Sequence, residues 1–312
     1  MKSFQSQVSR RTFLQQAGSS ALALALGGMS NIIAAPATDR KRFTASKING
    51  VEIGIIAPYA FRGMSGAPDV EQLLTFITDL GISFVKMQAP PAEHFAGISS
   101  VNPVEWRISA GMDKFKELRR IYNDAGVHFY GYKQTLTREM SDEEYDYTFN
   151  VARALGAGQV TMEMPRNDHD GSLTDRIGRF ADKHEIMVAY HNHTQANFNF
   201  WDRAVWQSEY NGLNLDIGHY VAANGAESLM NLLDKHWEKI GSLHIKGRKE
   251  GMGDNVPWGE GDTPIKEVLQ LMRDRKAGFQ ATIELEYDVP SNSDPLQEIA
   301  KCLAYCRAAL ES

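Results

Sequence analysis

The segment Leu213–Tyr220 reads LNLDIGHY, an apolar run that ends in an aspartate with a histidine three residues later. A carboxylate at the end of a buried run is costly unless a cation, a donor or water answers it, so Asp216 needs a partner. Other apolar runs end in the same way. Lys86 lies near the end of SFVKMQ, Lys133 closes VHFYGYK, Glu163 lies near the end of QVTMEM, and His191 with His193 closes MVAYHNH. His244 and Lys246 end GSLHIK, and Glu284 and Glu286 end ATIELE. If Glu163, Asp216, His244 and Glu284 meet at one point, three carboxylates share it, and they cannot all stay ionised without a compensating charge. A divalent cation supplies that charge. One imidazole with three carboxylates is an oxygen-rich set, suited to Mn²⁺, Mg²⁺ or Co²⁺ more than to a structural zinc, with Zn²⁺ still open.

Such a set suits the chemistry of a carbon acid. A cation beside a carbonyl and its neighbouring hydroxyl stabilises the charge of an enediolate, and carboxylates on opposite sides of the substrate can take and return the carbon-bound proton. The outcome is epimerisation or isomerisation. If the enediolate instead expels a β-oxygen, the same residues make a lyase. His193 and Lys133 are candidate acids for that oxygen, and equally candidates for structural hydrogen bonding.

The elements that must position these groups repeat along the chain. Eight short apolar runs, at 51–57, 83–88, 127–133, 159–164, 187–193, 213–218, 241–246 and 281–286, alternate with helical periodicity such as DVEQLLTFITDLG and MDKFKELRRIYNDAG. Asn211 and Gly212 read as a turn before the sixth run. Alternation of this kind implies parallel strands with crossover helices. Eight repeats favour an α/β fold of the closed (β/α)8 TIM barrel type over an open doubly wound sheet, and no GxGxxG follows the first run. In such a barrel the chemistry sits where the strands end, which is where the polar residues fall.

The expected organisation is an export signal over residues 1–37, a linker over 38–47 and one barrel domain over 48–312. The signal is read from the Arg10–Arg11 pair, a short Gly- and Ser-broken apolar stretch and a small-residue exit near Ala35 or Ala37, a twin-arginine pattern that implies a periplasmic protein. The apolar stretch is short for a membrane span, so no stable membrane association is expected after cleavage. Beyond residue 37 the chain holds 30 basic and 39 acidic residues, a balance that argues against a nucleic-acid surface. The two cysteines, Cys302 and Cys306, are four apart on one helical face and read as small buried residues rather than a disulfide.

The motifs VTMEMP, AYHNH, LNLDIGH, SLHIKG, VPWGEGD and TIELEY carry a resemblance to the sugar phosphate isomerase/epimerase family of the xylose-isomerase-like TIM barrel superfamily, the AP endonuclease 2 type of barrel. It spans residues 48–310. The resemblance implies that Glu163, Asp216, His244 and Glu284 are metal ligands, that His219 contacts substrate, and that Glu163 and Glu284 act as acid and base. No glycine-rich cradle or dense basic group accompanies Lys246, Arg248 and Lys249 in the last loops, so an unphosphorylated sugar, keto-sugar or glycoside is the expected substrate. Arg248 and Trp258 are expected to touch it, with Tyr59, Phe61, Trp106 and Trp201 as further rings that either stack on sugars or cover the barrel ends. The leading reading is a metal-dependent isomerase or epimerase. A lyase or hydratase acting on a 3-keto-glycoside stands beside it, followed by a non-catalytic carbohydrate-binding barrel and, disfavoured by charge, a DNA repair endonuclease. A homo-oligomer is compatible with all of them.

Overall fold

Residues 46–64 and 67–312 are described by the computed structural model, and the expected export signal and nearly all of the expected linker lie outside them. A two-residue strand β1 (Lys47–Ile48) pairs antiparallel with β2 (Val51–Ala57). Seven more barrel strands follow: β3 (Phe84–Gln88), β4 (His128–Lys133), β5 (Gln159–Glu163), β6 (Met187–His191), β7 (Asn211–Asp216), β8 (Ile240–Ile245) and β11 (Gln280–Ile283). Between the last two, β9 (Gly247–Arg248) and β10 (Asn255–Val256) form a small antiparallel ribbon. The barrel strands are parallel in the order β2-β11-β8-β7-β6-β5-β4-β3, and β3 pairs back to β2, which closes the sheet into an eight-stranded barrel. Among the described residues no helix is long and apolar enough to cross a membrane.

Crossover helices with their own start signals connect the strands. Asp69 caps the helix Val70–Asp79 and Ser141 caps Asp142–Leu155, each in a capping box with Gln72 or Glu144 three residues on. The helices bury Leu73, Ile77, Phe115, Leu118, Phe149, Val151, Ile177, Leu229, Val268 and Leu269 against the outside of the barrel. Cys302 and Cys306 are buried free thiols on the last helix, Pro295–Glu311.

The sixth strand starts earlier than its sequence suggests. Asn211 and Gly212 are buried strand residues of β7, not a turn. The Asn211 amide donates to Ala204 O at 2.8 Å and Thr174 O at 3.3 Å, so its polar group is answered inside the protein. A Cβ on Gly212 would stand 2.5 Å from Lys239 O, which explains the glycine by close approach rather than by turn geometry. At the other end Ile217 already belongs to the helix Ile217–Asn224.

The barrel interior is polar, with Lys86, Tyr130, Gln159, Asn214, Ser242 and Thr282 inside it. Tyr130 Oη lies 2.6 Å from Thr282 Oγ1, and its ring occupies the space beside Gly54, where an added Cβ would meet Cε1 at 2.6 Å. Gly54→Ala is therefore expected to destabilise the protein by about 1–3 kcal/mol through overpacking. Urea denaturation reads this loss, and most of it should disappear in a Tyr130→Ala background; an equal loss in both backgrounds would show that the ring is not the obstacle.

Candidate active site

Register brings the polar strand ends to one rim. Asp216 is paired with His244, His244 with Thr282, and Glu163 with His191 along neighbouring strands. Asp216 ends β7 and caps the next helix, its Oδ1 accepting from His219 N at 2.7 Å, so half of the carboxylate is engaged by the chain that follows it. Its Oδ2 points into the barrel mouth. There it lies 4.0 Å from His244 Nδ1, which in turn is 3.1 Å from Glu284 Oε2. Asp216 Oδ2, His244 Nδ1 and Glu284 Oε2 are all buried and without a hydrogen-bond partner among the described residues.

Lys246 faces the same point. Its Nζ is 2.7 Å from Asp216 Oδ2 and 2.7 Å from Glu284 Oε2, close charge contacts that lack hydrogen-bond alignment, and its aligned bond goes to Glu286 Oε2. Burial opposes the ammonium, but Asp216, Glu284 and Glu286 outweigh it and keep Lys246 charged. Burial likewise pushes Glu284 up, yet His244 and Lys246 hold it well below the usual carboxylate range. Asp216, fully buried beside Glu284, is held above that range despite Lys246.

A second lysine orients His244 from below. Lys86 is fully buried, and burial, with Lys133 adding, holds it well below its ordinary value. Its Nζ reaches Asn214 Oδ1 at 2.7 Å, Ser242 Oγ at 3.1 Å and His244 Nε2 at 3.0 Å. These contacts fix the plane of the His244 ring from its Nε2 side. Its Nδ1 thereby faces Glu284 Oε2 and Asp216 Oδ2.

Glu163 belongs to the outer part of the rim. Lys133 donates to its Oε1 at 2.8 Å and His193 Nε2 lies 3.7 Å from its Oε2. His191 stands between the two groups: its ligand atom lies within 4.8 Å of those of Glu163 and His193, and equally of those of Asp216 and His244. The structure thus gathers Asp216, His244 and Glu284 tightly and sets Glu163 apart with His193 and Lys133. The inner three offer two carboxylate oxygens and one imidazole nitrogen, none in an aligned hydrogen bond although Lys246 lies beside both oxygens, and that donor set fits a divalent cation.

His219 borders the same mouth. Arg248 Nη1 donates to its Nδ1 at 2.7 Å, leaving Nε2–H facing Glu286 Oε2 at 3.6 Å. Burial, then Lys246, pushes His219 down to about 3, so the folded protein keeps this imidazole neutral. An unfolded histidine takes a proton near pH 6.5, so stability is lost as pH falls through the window between that value and the folded one. The contribution lost between about pH 7 and about pH 5 is about 2 kcal/mol. Urea denaturation of chelator-treated protein should show His219→Gln losing less stability than the parent over that interval; identical pH slopes would contradict the assignment.

Arg62 was not read as a site residue, Lys246 and Glu286 were read only as polar strand ends, and Tyr59 only as a ring. Tyr59 Oη donates to Glu286 Oε1 at 2.5 Å, and Arg62 Nη1 lies 3.8 Å from that same oxygen. Lys246 follows the end of β8, and Glu284 and Glu286 follow the end of β11, so the chain just past two neighbouring strands brings these charges to the mouth. Of the other rings proposed for sugar stacking, Trp201 and Phe61 are core residues, the Trp201 Nε1 donating to Tyr190 O at 3.0 Å. Trp106 packs edge-on to Tyr147, and Trp258 edge-on to Tyr305 of the last helix at 6.0 Å between centroids.

Comparison with known proteins agrees with this architecture. Residues 41–307 match the family described as xylose isomerase-like TIM barrel. No curated protein matches the chain. Among solved structures, a sugar phosphate isomerase/epimerase from Parabacteroides distasonis is similar at 18% identity and a TM-score of 0.61, over 83% of this chain and 96% of that one. A D-psicose 3-epimerase from Clostridium cellulolyticum is similar at 12% identity and a TM-score of 0.57, over 84% and 100%. A probable 3-DHS dehydratase from Bacillus anthracis is similar at 12% identity and a TM-score of 0.59, over 84% and 98%.

Proposed function

We propose an activity for this chain on the premise that it belongs to the xylose isomerase-like TIM barrel family: it is a divalent-metal-dependent isomerase or epimerase of unphosphorylated sugars or keto-sugars. The observation that carries the reading is the convergence of Asp216 Oδ2, His244 Nδ1 and Glu284 Oε2, buried and without an aligned hydrogen bond, around the positive charge of Lys246 at the C-terminal mouth of the barrel. A divalent ion bound by these residues supplies charge stabilisation to a substrate carbonyl and its neighbouring hydroxyl. Glu163, half-exposed at the mouth, is the proton-transferring carboxylate in this reading, kept in place by Lys133. Glu284 is buried against His244 and has its second role, as a base, only on the face it presents to substrate.

The preference for an unphosphorylated substrate is supported by how the basic groups are engaged. Lys246 is matched by three carboxylates, and Arg248 donates to Gly253 O and His219. Arg62 lies against Glu286 and the ring of Tyr59. None of the three is left as a free anion receptor. The reading includes export by the twin-arginine pattern at Arg10 and Arg11, away from most phosphorylated metabolites.

A second reading, elimination from a 3-keto-glycoside, is favoured by one feature. Lys133 and His193 flank Glu163, and in this reading one of them gives a proton to the departing oxygen. The same barrel carries epimerases and a dehydratase among the similar structures. Product analysis by NMR on unphosphorylated ketoses and 3-keto-glycosides, with chelator-treated and Mn²⁺-reconstituted protein, tests both readings. New stereoisomers support the first and a released aglycone the second. Turnover confined to phosphorylated sugars would sink both.

A further inference from the structure

Lys246 and the divalent ion compete for one place. A divalent ion takes ligands at roughly 2.0–2.2 Å, and the Lys246 nitrogen lies 2.7 Å from two of the three ligand oxygens and nitrogens that would receive it, Asp216 Oδ2 and Glu284 Oε2. An ammonium and a divalent cation cannot occupy that point together, because the spacing leaves no room and both are positive. The lysine stem is also specifically seated. A Cβ on Gly218 would stand 2.4 Å from Lys246 Cγ and 2.9 Å from Lys246 O, so the start of the helix after Asp216 leaves a slot that only glycine keeps open. The nitrogen has a third carboxylate to hold it: Glu286, more exposed than Asp216 or Glu284, and bonded by Tyr59 from the mouth side.

We propose that Lys246 is the resident counter-cation of the metal-free site, holding Asp216 and Glu284 together until a divalent ion displaces it, after which Glu286 keeps the displaced ammonium at the mouth. The inference rests on the metal reading above. Three consequences follow from the geometry. Removing the ammonium removes a competitor and tightens metal binding. Removing Glu286 takes away the carboxylate that already bonds the ammonium and would retain it after displacement, and weakens metal binding, but only while Lys246 is present. Without either cation, Asp216 and Glu284 face each other uncompensated and the metal-free protein is less stable.

Mn²⁺ titration by calorimetry of the purified, chelator-treated protein tests this with four chains: the parent, Lys246→Met, Glu286→Gln and the double variant. Lys246→Met is expected to bind Mn²⁺ about tenfold tighter or more, and to melt lower without the ion and recover with it. Glu286→Gln is expected to bind more weakly than the parent, with no further effect in the Lys246→Met background. Should Lys246→Met not fold without the ion, Lys246→Gln, which keeps an N–H donor for Glu286, takes its place. Equal or weaker binding by the lysine variants, or the same Glu286→Gln effect in both backgrounds, overturns the displacement and reduces Lys246 to a background charge. Absence of Mn²⁺ binding in the parent and in every lysine variant would instead overturn the metal reading on which the inference rests, and Asp216→Asn as a control distinguishes specific uptake from surface binding.

Discussion

Asp216→Asn is expected to lower divalent-metal affinity by roughly a hundredfold or more while the barrel stays folded. The substitution separates the two halves of one carboxylate. Oδ1 caps the helix Ile217–Asn224 through His219 N, a bond an asparagine carbonyl can retain, since Asn caps helices about as well as Asp. Oδ2 has no hydrogen-bond partner, and in the variant an NH₂ group replaces it, which is no ligand for a cation and turns donors toward Lys246. The loss therefore falls on the ion and spares the fold. Elemental analysis after dialysis against Mn²⁺, with circular dichroism as the fold control, reads the result. Full occupancy in the double variant Asp216→Asn, Glu284→Gln would remove the ligand assignment.

Glu163→Gln is expected to reduce turnover by about 10² to 10⁴, the contribution of one positioned general base. The amide is nearly isosteric and its oxygen can still accept from Lys133, so the side chain keeps its place and loses only its basicity. Steady-state kinetics at rising Mn²⁺ distinguishes the two roles of this residue. If Glu163 moves the proton, excess Mn²⁺ leaves the defect unchanged. Rescue by Mn²⁺ would instead make Glu163 a ligand and leave the proton transfer to Glu284 or to His193, which stands 3.7 Å from the same carboxylate.

Much of this was legible in the sequence because a barrel writes itself as a repeat. Eight apolar runs mark eight strands, and the rule that chemistry sits at strand ends brings up Glu163, Asp216, His244 and Glu284 among several lysines and histidines, the family resemblance then singling out those four as ligands. Two kinds of information were not legible. One is local context: Asn211 and Gly212 carry the composition of a turn, yet a buried amide with two carbonyl partners and a close backbone approach make them strand. The other is the pairing of cations across the barrel. Lys86 and Lys246 both lie at strand ends, but only the folded structure shows one orienting His244 from below and the other between the carboxylates. Glu163 is the intermediate case, since its strand end was readable but its grouping with Lys133 and His193 depends on side-chain geometry at the rim. The aromatic residues show the same limit: Tyr59 and Trp201 are alike in composition terms, yet one faces Glu286 and the other is sealed in the core.

In the proposed reaction this barrel moves a proton on and off a sugar carbon. Incubation of Mn²⁺-reconstituted protein with an active unphosphorylated ketose in D₂O, followed by proton NMR and mass spectrometry of product and recovered substrate, tests it most directly. The expected result is deuterium at the carbon next to the carbonyl, absent with chelator-treated protein and strongly reduced in Glu163→Gln. Complete turnover with no solvent deuterium in either species, together with retention of a label placed on that carbon's own hydrogen after it has moved to its neighbour, would mean a hydride shift and would contradict the account.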